Sequence, residues 1–143
     1  MTPEQVQLVR RSFAKVAATK ETAAALFYRR LFELDPSLRP MFKGDMTAQG
    51  ANLMAALQGV VASLDQLERI LPVIRELGRR HAAYGVQPEH YATVGEALLW
   101  TLERGLGEDF TRATQRAWTD AYGRLAWAMI AAAEEERPNP QAA

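Results

Sequence analysis

The stretch LGRRHAAYGVQPEHY, Leu77 to Tyr91, gives the clearest indication of the architecture of this chain. It contains both histidines of the 143 residues, His81 and His90. Apolar residues lead into the stretch at helical spacing. Gly85 and Pro88 then mark a break, because glycine commonly follows a helix and proline commonly begins one. The stretch predicts a helix that carries His81 and ends near Gly85, and a second helix that begins near Pro88.

The rest of the chain also has helical periodicity, and it lacks the alternating patterns and turn dipeptides of strands and hairpins. Helices are predicted at about residues 3–17, 21–34, 47–64, 66–84, 88–106 and 111–136. Pro72 is expected to kink or restart the fourth of them. The pattern predicts an all-α fold with one domain over residues 1–136, and a short flexible tail over residues 137–143.

Composition excludes several functional classes. Lys+Arg and Asp+Glu both number 17, so the formal net charge is zero, which argues against nucleic acid or an anionic membrane as a partner. There is no cysteine, which removes disulfides, thiolate nucleophiles and covalent haem attachment. The charged N-terminus does not resemble a signal peptide, and no apolar run is long enough to span a membrane. We expect a soluble cytoplasmic protein.

The two histidines have different predicted environments. Successive helical residues rotate by about 100°, which places His81 between Ile70 and Ile74 on the inward face of its helix. By itself, this position is typical of a core histidine that is hydrogen-bonded to the backbone. His90 lies in the first turn of the next helix, at the border of the apolar stripe that begins at Tyr91. It is predicted to be a surface or boundary residue.

The residues favour one type of site over others. Two histidines without cysteine would need carboxylates to complete a zinc site, and no suitable pair lies on an inward face. There is no G-x-S-x-G elbow, phosphate loop or G-x-G-x-x-G. One inward imidazole beside a large apolar slot would suit haem. A haem-free helical interaction module is the alternative.

Four motifs resemble the globin family, and specifically the bacterial single-domain globins related to the haem domain of flavohaemoglobins. They are LFYRRLFELDPSLRPMF (Leu26–Phe42), QGANLMAAL (Gln49–Leu57), LGRRHAAYGVQPEHYATVGEALL (Leu77–Leu99) and AWTDAYG (Ala117–Gly123). Their order and spacing cover the chain to about residue 133. The resemblance implies a globin fold of about six to eight helices around a pocket for non-covalent haem b.

The resemblance also implies a role for individual residues. His81 matches the histidine that binds haem iron, and His90 matches no ligand position. Tyr28 and Gln49 match distal residues that donate hydrogen bonds to bound O₂. Tyr91 matches the tyrosine beside the iron ligand. The implied cofactor contacts are Phe42, Leu53, Leu57, Leu77, Val86, Tyr91, Val94 and Leu98. Lys43 and Arg80 are candidates for holding the haem propionates.

One position departs from the flavohaemoglobin pattern. Aligned through AYG, the glutamate that these proteins typically carry on the last helix is replaced by Ala133, with Glu134 one residue later. A one-residue offset turns a helical side chain by about 100°. The missing carboxylate would have made the imidazole more basic, so its loss argues against efficient redox catalysis. It also leaves open which group pairs with Tyr91.

The function implied by the resemblance is O₂ binding with high affinity, for storage, delivery or scavenging. NO and CO are further expected ligands. The alternative is nitric oxide dioxygenation, which would need a separate reductase because the chain is too short to include flavin and nicotinamide domains. A haem-based gas sensor is less favoured, since no transmitter domain follows. We expect a monomer or a weak homodimer.

Overall fold

The computed structural model describes residues 1–135, whose regular structure is entirely helical. The six α-helices are α1 (Pro3–Ala17), α2 (Lys20–Leu34), α3 (Met46–Ala62), α4 (Leu67–Ala83), α5 (Pro88–Leu106) and α6 (Arg112–Glu135). Short 3₁₀ helices cover Pro36–Met41, Leu64–Gln66 and Gly107–Asp109. The all-α prediction is confirmed, and the predicted tail lies outside the described residues. None of the helices in this range is both long and apolar enough to cross a membrane.

The helix ends follow from capping residues in the sequence. The Thr2 hydroxyl accepts a hydrogen bond from the Gln5 N–H at 3.1 Å, and the Gln5 side chain accepts one from the Thr2 N–H at 3.0 Å. Thr111 caps α6 by accepting from the Thr114 N–H at 3.1 Å. Of the two outcomes expected at Pro72, the restart is wrong, because α4 begins at Leu67 and includes this proline, and the kink stays a prediction. Pro72 lies only about one turn inside α4, so its missing N–H removes one hydrogen bond near the N-terminal end of the helix.

The core consists of two clusters of buried apolar side chains. The larger one joins α1, α2, α3, α5 and α6, and Val9, Leu31 and Leu102 are almost completely buried within it. The smaller one joins α4 to α6 through Ile74 and Met129. Helix α4 is therefore held mainly by α6, and its first residue, the half-buried Leu67, packs on the edge of the larger cluster.

Two glycines allow neighbouring helices to approach closely. A Cβ atom at Gly78 of α4 would lie 2.3 Å from the backbone oxygen of Met129 in α6. A Cβ atom at Gly50 of α3 would lie 2.9 Å from the Cβ of Ala24 in α2. These contacts fix α4, which carries His81, against α6, and α3, which carries Gln49, against α2, which carries Tyr28.

Candidate functional site

His81 lies near the end of α4 and is half-buried. Its Nδ1 is 2.7 Å from the backbone oxygen of Leu77, one turn earlier. An imidazole that donates its Nδ1–H to a carbonyl keeps the lone pair of Nε2 for another partner. Histidines that bind metals almost always use their second nitrogen in this way. The ring is thus oriented by the helix itself, with Nε2 available as a ligand atom.

Tyr28 lies on α2 and is only 8% exposed. Its hydroxyl donates to the backbone oxygen of Gln49, at the start of α3, over 3.3 Å. The ring is packed between Phe27 and Phe42, with centroid distances of 5.1 and 5.2 Å and edge-on geometry. Burial raises the pKa of Tyr28 to about 12. The phenol therefore keeps its proton at neutral pH and remains a hydrogen-bond donor.

Gln49 is half-buried, and its side-chain amide is turned toward the segment before α3. The Nε2 atom donates to the backbone oxygen of Lys43 at 3.4 Å. A half-buried amide needs a hydrogen-bond partner, and the Lys43 carbonyl supplies one. The bonds made by Tyr28 and Gln49 are both at the long end of the hydrogen-bond range, so they are weak. Either donor could exchange its backbone acceptor for a bound ligand at small cost.

The predicted cofactor contacts are all buried or half-buried. Leu98 is buried, and the other members of the set are half-buried. They divide between the two cores: Phe42, Leu53, Leu57, Val94 and Leu98 belong to or pack on the larger cluster, and Leu77 and Tyr91 pack on the smaller one. Val86 is tied to the iron-ligand candidate, because its N–H donates to the backbone oxygen of His81 at 3.0 Å. A flat apolar group between the clusters would contact both of them, and haem fits this description.

Tyr122 is a site residue that sequence reasoning missed. Its hydroxyl donates to the backbone oxygen of Tyr91 at 2.6 Å, and its ring fills the space that a Cβ at Gly95 would need. Burial raises the pKa of Tyr122, and the nearby Tyr91 raises it further. Burial also raises the pKa of Tyr91. Tyr122 therefore anchors the first turn of α5 to α6. It lies within the AYG motif, but nothing in that motif distinguishes an anchoring tyrosine from a packed one.

At Ala133 the sequence departs from the flavohaemoglobin pattern, and the nearest acidic residues lie at the end of α6. Ala133 is half-buried, whereas Glu134 is exposed. The Glu135 carboxylate accepts a hydrogen bond from the Arg75 guanidinium of α4. This ion pair adds to the contact between α4 and α6. The hydrogen bond that holds Tyr91 is the one its backbone oxygen accepts from Tyr122 of α6.

The remaining candidates are His90, Arg80 and Lys43, and the first two have other partners. His90 is half-buried, and its Nδ1 accepts a hydrogen bond from the Gln87 N–H at 2.9 Å, which caps the start of α5. This structural role agrees with its predicted boundary position. Arg80 is exposed and lies 3.4 Å from the Glu76 carboxylate. Lys43 is exposed, and its backbone oxygen accepts the hydrogen bond from Gln49.

The fold and the site together define a class of protein. One oriented imidazole lies on α4, two hydrogen-bond donors lie where α2 meets α3, and apolar residues from both cores accompany them. This combination is what a helical haem protein needs. The globin family model matches residues 25–129, and the chain belongs to the globin family. Globins bind haem and gas ligands such as O₂ and NO.

Known proteins of two kinds resemble the chain over nearly its full length. It is 32% identical to a flavohemoprotein of Bacillus subtilis over 87% of this chain and 32% of the relative. It is 28% identical to a neuroglobin of Tetraodon nigroviridis, covering 90% of each. The chain therefore spans about a third of the flavohemoprotein.

Two solved structures have the same fold. One is an engineered carbene transferase made from a putative nitric oxide dioxygenase of Rhodothermus marinus, with 30% identity, a TM-score of 0.84 and coverage of 94% of each chain. The other is a bacterial globin from Campylobacter jejuni, with 27% identity, a TM-score of 0.81 and coverage of 94% of this chain and 97% of that one. These similarities support the predicted relation to bacterial globins and flavohaemoglobins.

Proposed function

We propose that this protein binds O₂ reversibly through non-covalent haem b, with high affinity, for O₂ storage, delivery or scavenging. The observation that carries the proposal is the hydrogen bond from His81 to Leu77, which leaves Nε2 as the ligand atom. The absence of cysteine agrees with haem held without thioether bonds. The proposed cellular location is the cytoplasm, as the sequence predicts.

Each group of candidate residues has its own role in such a site. The bond to Leu77 fixes the orientation of His81 and makes the imidazole a stronger ligand. The apolar contacts from both cores hold the porphyrin and exclude water. Lys43 and Arg80 are the candidates for the propionates. When bound, the haem supplies the iron at which a diatomic gas can bind.

Tyr28 and Gln49 are the proposed determinants of O₂ affinity. Bound O₂ carries negative charge, and both side chains are donors. Tyr28 is the better placed, because it is buried and keeps its proton. Its present acceptor, the backbone oxygen of Gln49, is 3.3 Å away, so reorientation toward a ligand sacrifices only a weak bond.

We expect Tyr28→Phe to accelerate O₂ dissociation. A hydrogen bond to a charged group contributes about 1.5–3 kcal/mol, which corresponds to roughly 10–150-fold in rate. Stopped-flow measurement of the O₂ and CO off-rates of haem-loaded protein tests this, and CO should change less because it carries less charge. Tyr84→Phe is the matched control, since Tyr84 is 71% exposed. An unchanged O₂ off-rate in Tyr28→Phe would remove Tyr28 from the proposal.

Nitric oxide dioxygenation is the second candidate. Its support is the similarity to the putative nitric oxide dioxygenase and to flavohemoproteins. The same donors would serve this reaction, in which NO and O₂ give nitrate. Converting neutral NO and O₂ to nitrate takes up one electron per turnover, so the reaction would need a reductase to supply it. We expect sustained NO consumption, with nitrate as product, only when a flavin reductase and its nicotinamide substrate are supplied. A single stoichiometric burst under these conditions would restrict the function to O₂ binding.

A further inference from the structure

His90, the histidine outside the proposed haem site, makes a hydrogen bond that only its neutral form can make. Its Nδ1 is 2.9 Å from the backbone nitrogen of Gln87. A backbone N–H can only donate, so Nδ1 is the acceptor and carries no proton. His81 has the opposite arrangement, because its Nδ1 faces the carbonyl of Leu77, which can only accept. Protonation of the two rings would therefore break the bond at His90 and preserve the bond at His81.

The bond between His90 and Gln87 supports the turn that joins α4 to α5, residues 85–87. On one side, the Val86 N–H donates to the backbone oxygen of His81 at 3.0 Å, which ties the turn to α4. On the other side, the Gln87 N–H donates to the His90 ring of α5. The His90 N–H also donates to the Gln87 carbonyl at 3.0 Å, so the imidazole supplies one of two ties to α5. Loss of the imidazole tie loosens a turn that is bonded to the backbone of the candidate iron ligand.

A carboxylate of the neighbouring segment is a second partner for the protonated ring. Asp35 lies between α2 and the 3₁₀ helix Pro36–Met41, and it interacts electrostatically with His90. The Ser37 hydroxyl donates to Asp35 at 2.6 Å and holds the pKa of this carboxyl below its usual range, and His90 lowers it further. Asp35 is therefore ionised over the range of about pH 5 to 8 in which histidine takes up a proton. On the helix of His90 itself, Glu89 adds a second negative charge.

We propose that His90 is a pH switch for the proposed haem site, which holds the 85–87 turn when neutral and releases it toward Asp35 when protonated. This regulation rests on the proposed function, because haem is what the turn helps to hold. The partial positive charge at the start of α5 repels an imidazolium, and Asp35 attracts it. Tyr91 and Tyr122 at this end of the site stay protonated, since burial raises the pKa of both. The stability that the His90 bond contributes is thus present at high pH and is lost as the pH falls.

The rate of haem transfer from the loaded chain to an acceptor protein tests the switch in wild type, His90→Gln and His90→Ala. Glutamine at this helix position keeps an acceptor for the N-cap N–H but does not titrate, and alanine has no acceptor. At roughly pH 8, wild type should match His90→Gln, and His90→Ala should lose haem about fivefold faster, the effect of one hydrogen bond. At roughly pH 5, wild type should match His90→Ala, and His90→Gln should be about fivefold slower. Comparison at one pH removes the effect of acid on His81, which all three chains share.

Urea unfolding of the same chains without haem gives a second readout. His90→Gln should be more stable than wild type near the acid end of the range and equal to it at the other end. Asp35→Asn keeps an oxygen acceptor for Ser37, and it should move the wild-type transition to lower pH because the imidazolium loses its counter-charge.

Two outcomes would overturn the switch. One is a His90→Gln chain with the same pH profile as wild type in both measurements. The other is a difference in unfolding with no difference in haem transfer, which would make His90 a structural cap only. A chain that binds no haem would overturn the proposed function instead, while the urea measurement would still report whether acid breaks the His90 bond, so the two failures are distinguishable.

Discussion

His81→Ala is expected to abolish histidine ligation of haem and to weaken haem binding by more than 100-fold. In the proposed site the side chain supplies the ligand atom Nε2, and the bond from Nδ1 to the Leu77 carbonyl orients the ring. Loss of an outer-shell partner of a metal ligand alone typically costs about 10–100-fold in affinity, so loss of the ligand itself should cost more. The visible spectrum after haem titration, together with the rate of haem transfer to an acceptor protein, measures the effect.

The other histidine supplies the control for this experiment. His90→Ala should keep the wild-type spectrum, because its Nδ1 is occupied by the Gln87 N–H. It should lose about 1 kcal/mol of stability as the cap of α5 is removed. Added imidazole should restore a histidine-like spectrum to His81→Ala, which separates ligand loss from misfolding. The haem assignment fails if His81→Ala retains the wild-type spectrum, or if the wild-type chain gives no Soret band with haem.

The fold was predictable because local signals agree along the chain. Thr2 and Thr111 cap their helices as expected, and each predicted helix matches an observed one to within two residues at the described ends. Pro72 was the exception. A proline one turn inside a continuous helix and a proline at the first position of a restarted helix give the same sequence signal.

The site was predictable only in part. Helical periodicity places His81 inward, and the family resemblance implies its role. Contacts between distant segments have no local signal, and the bond from Tyr122 to the Tyr91 backbone joins residues 31 apart in sequence. The orientation of Gln49 toward Lys43 depends on the path of the turn between α2 and α3. Periodicity specifies the face of a helix but not the acceptor that a polar side chain finds there.

Gly78→Ala is expected to destabilise the fold by about 3 kcal/mol, the upper end of the 1–3 kcal/mol that over-packing typically costs. The added methyl would lie 2.3 Å from the Met129 oxygen and 2.7 Å from its Cα, so a helix backbone rather than a flexible side chain would have to move. The loss is a large part of the 5–15 kcal/mol that typically stabilises a domain of this kind. Denaturant unfolding of the haem-free and haem-loaded chains measures it.

Gly59→Ala is the matched control for Gly78→Ala. Gly59 also lies inside a helix, but a Cβ atom there meets nothing within 4 Å. This variant should gain roughly 0.5–1 kcal/mol, because alanine is the better helix former. The effect of Gly78→Ala should extend to the site, since the displaced α4 carries His81 one turn later, and haem binding should weaken together with stability. Equal stabilisation by both substitutions would contradict the close contact between α4 and α6, and with it the positioning of His81 by that contact.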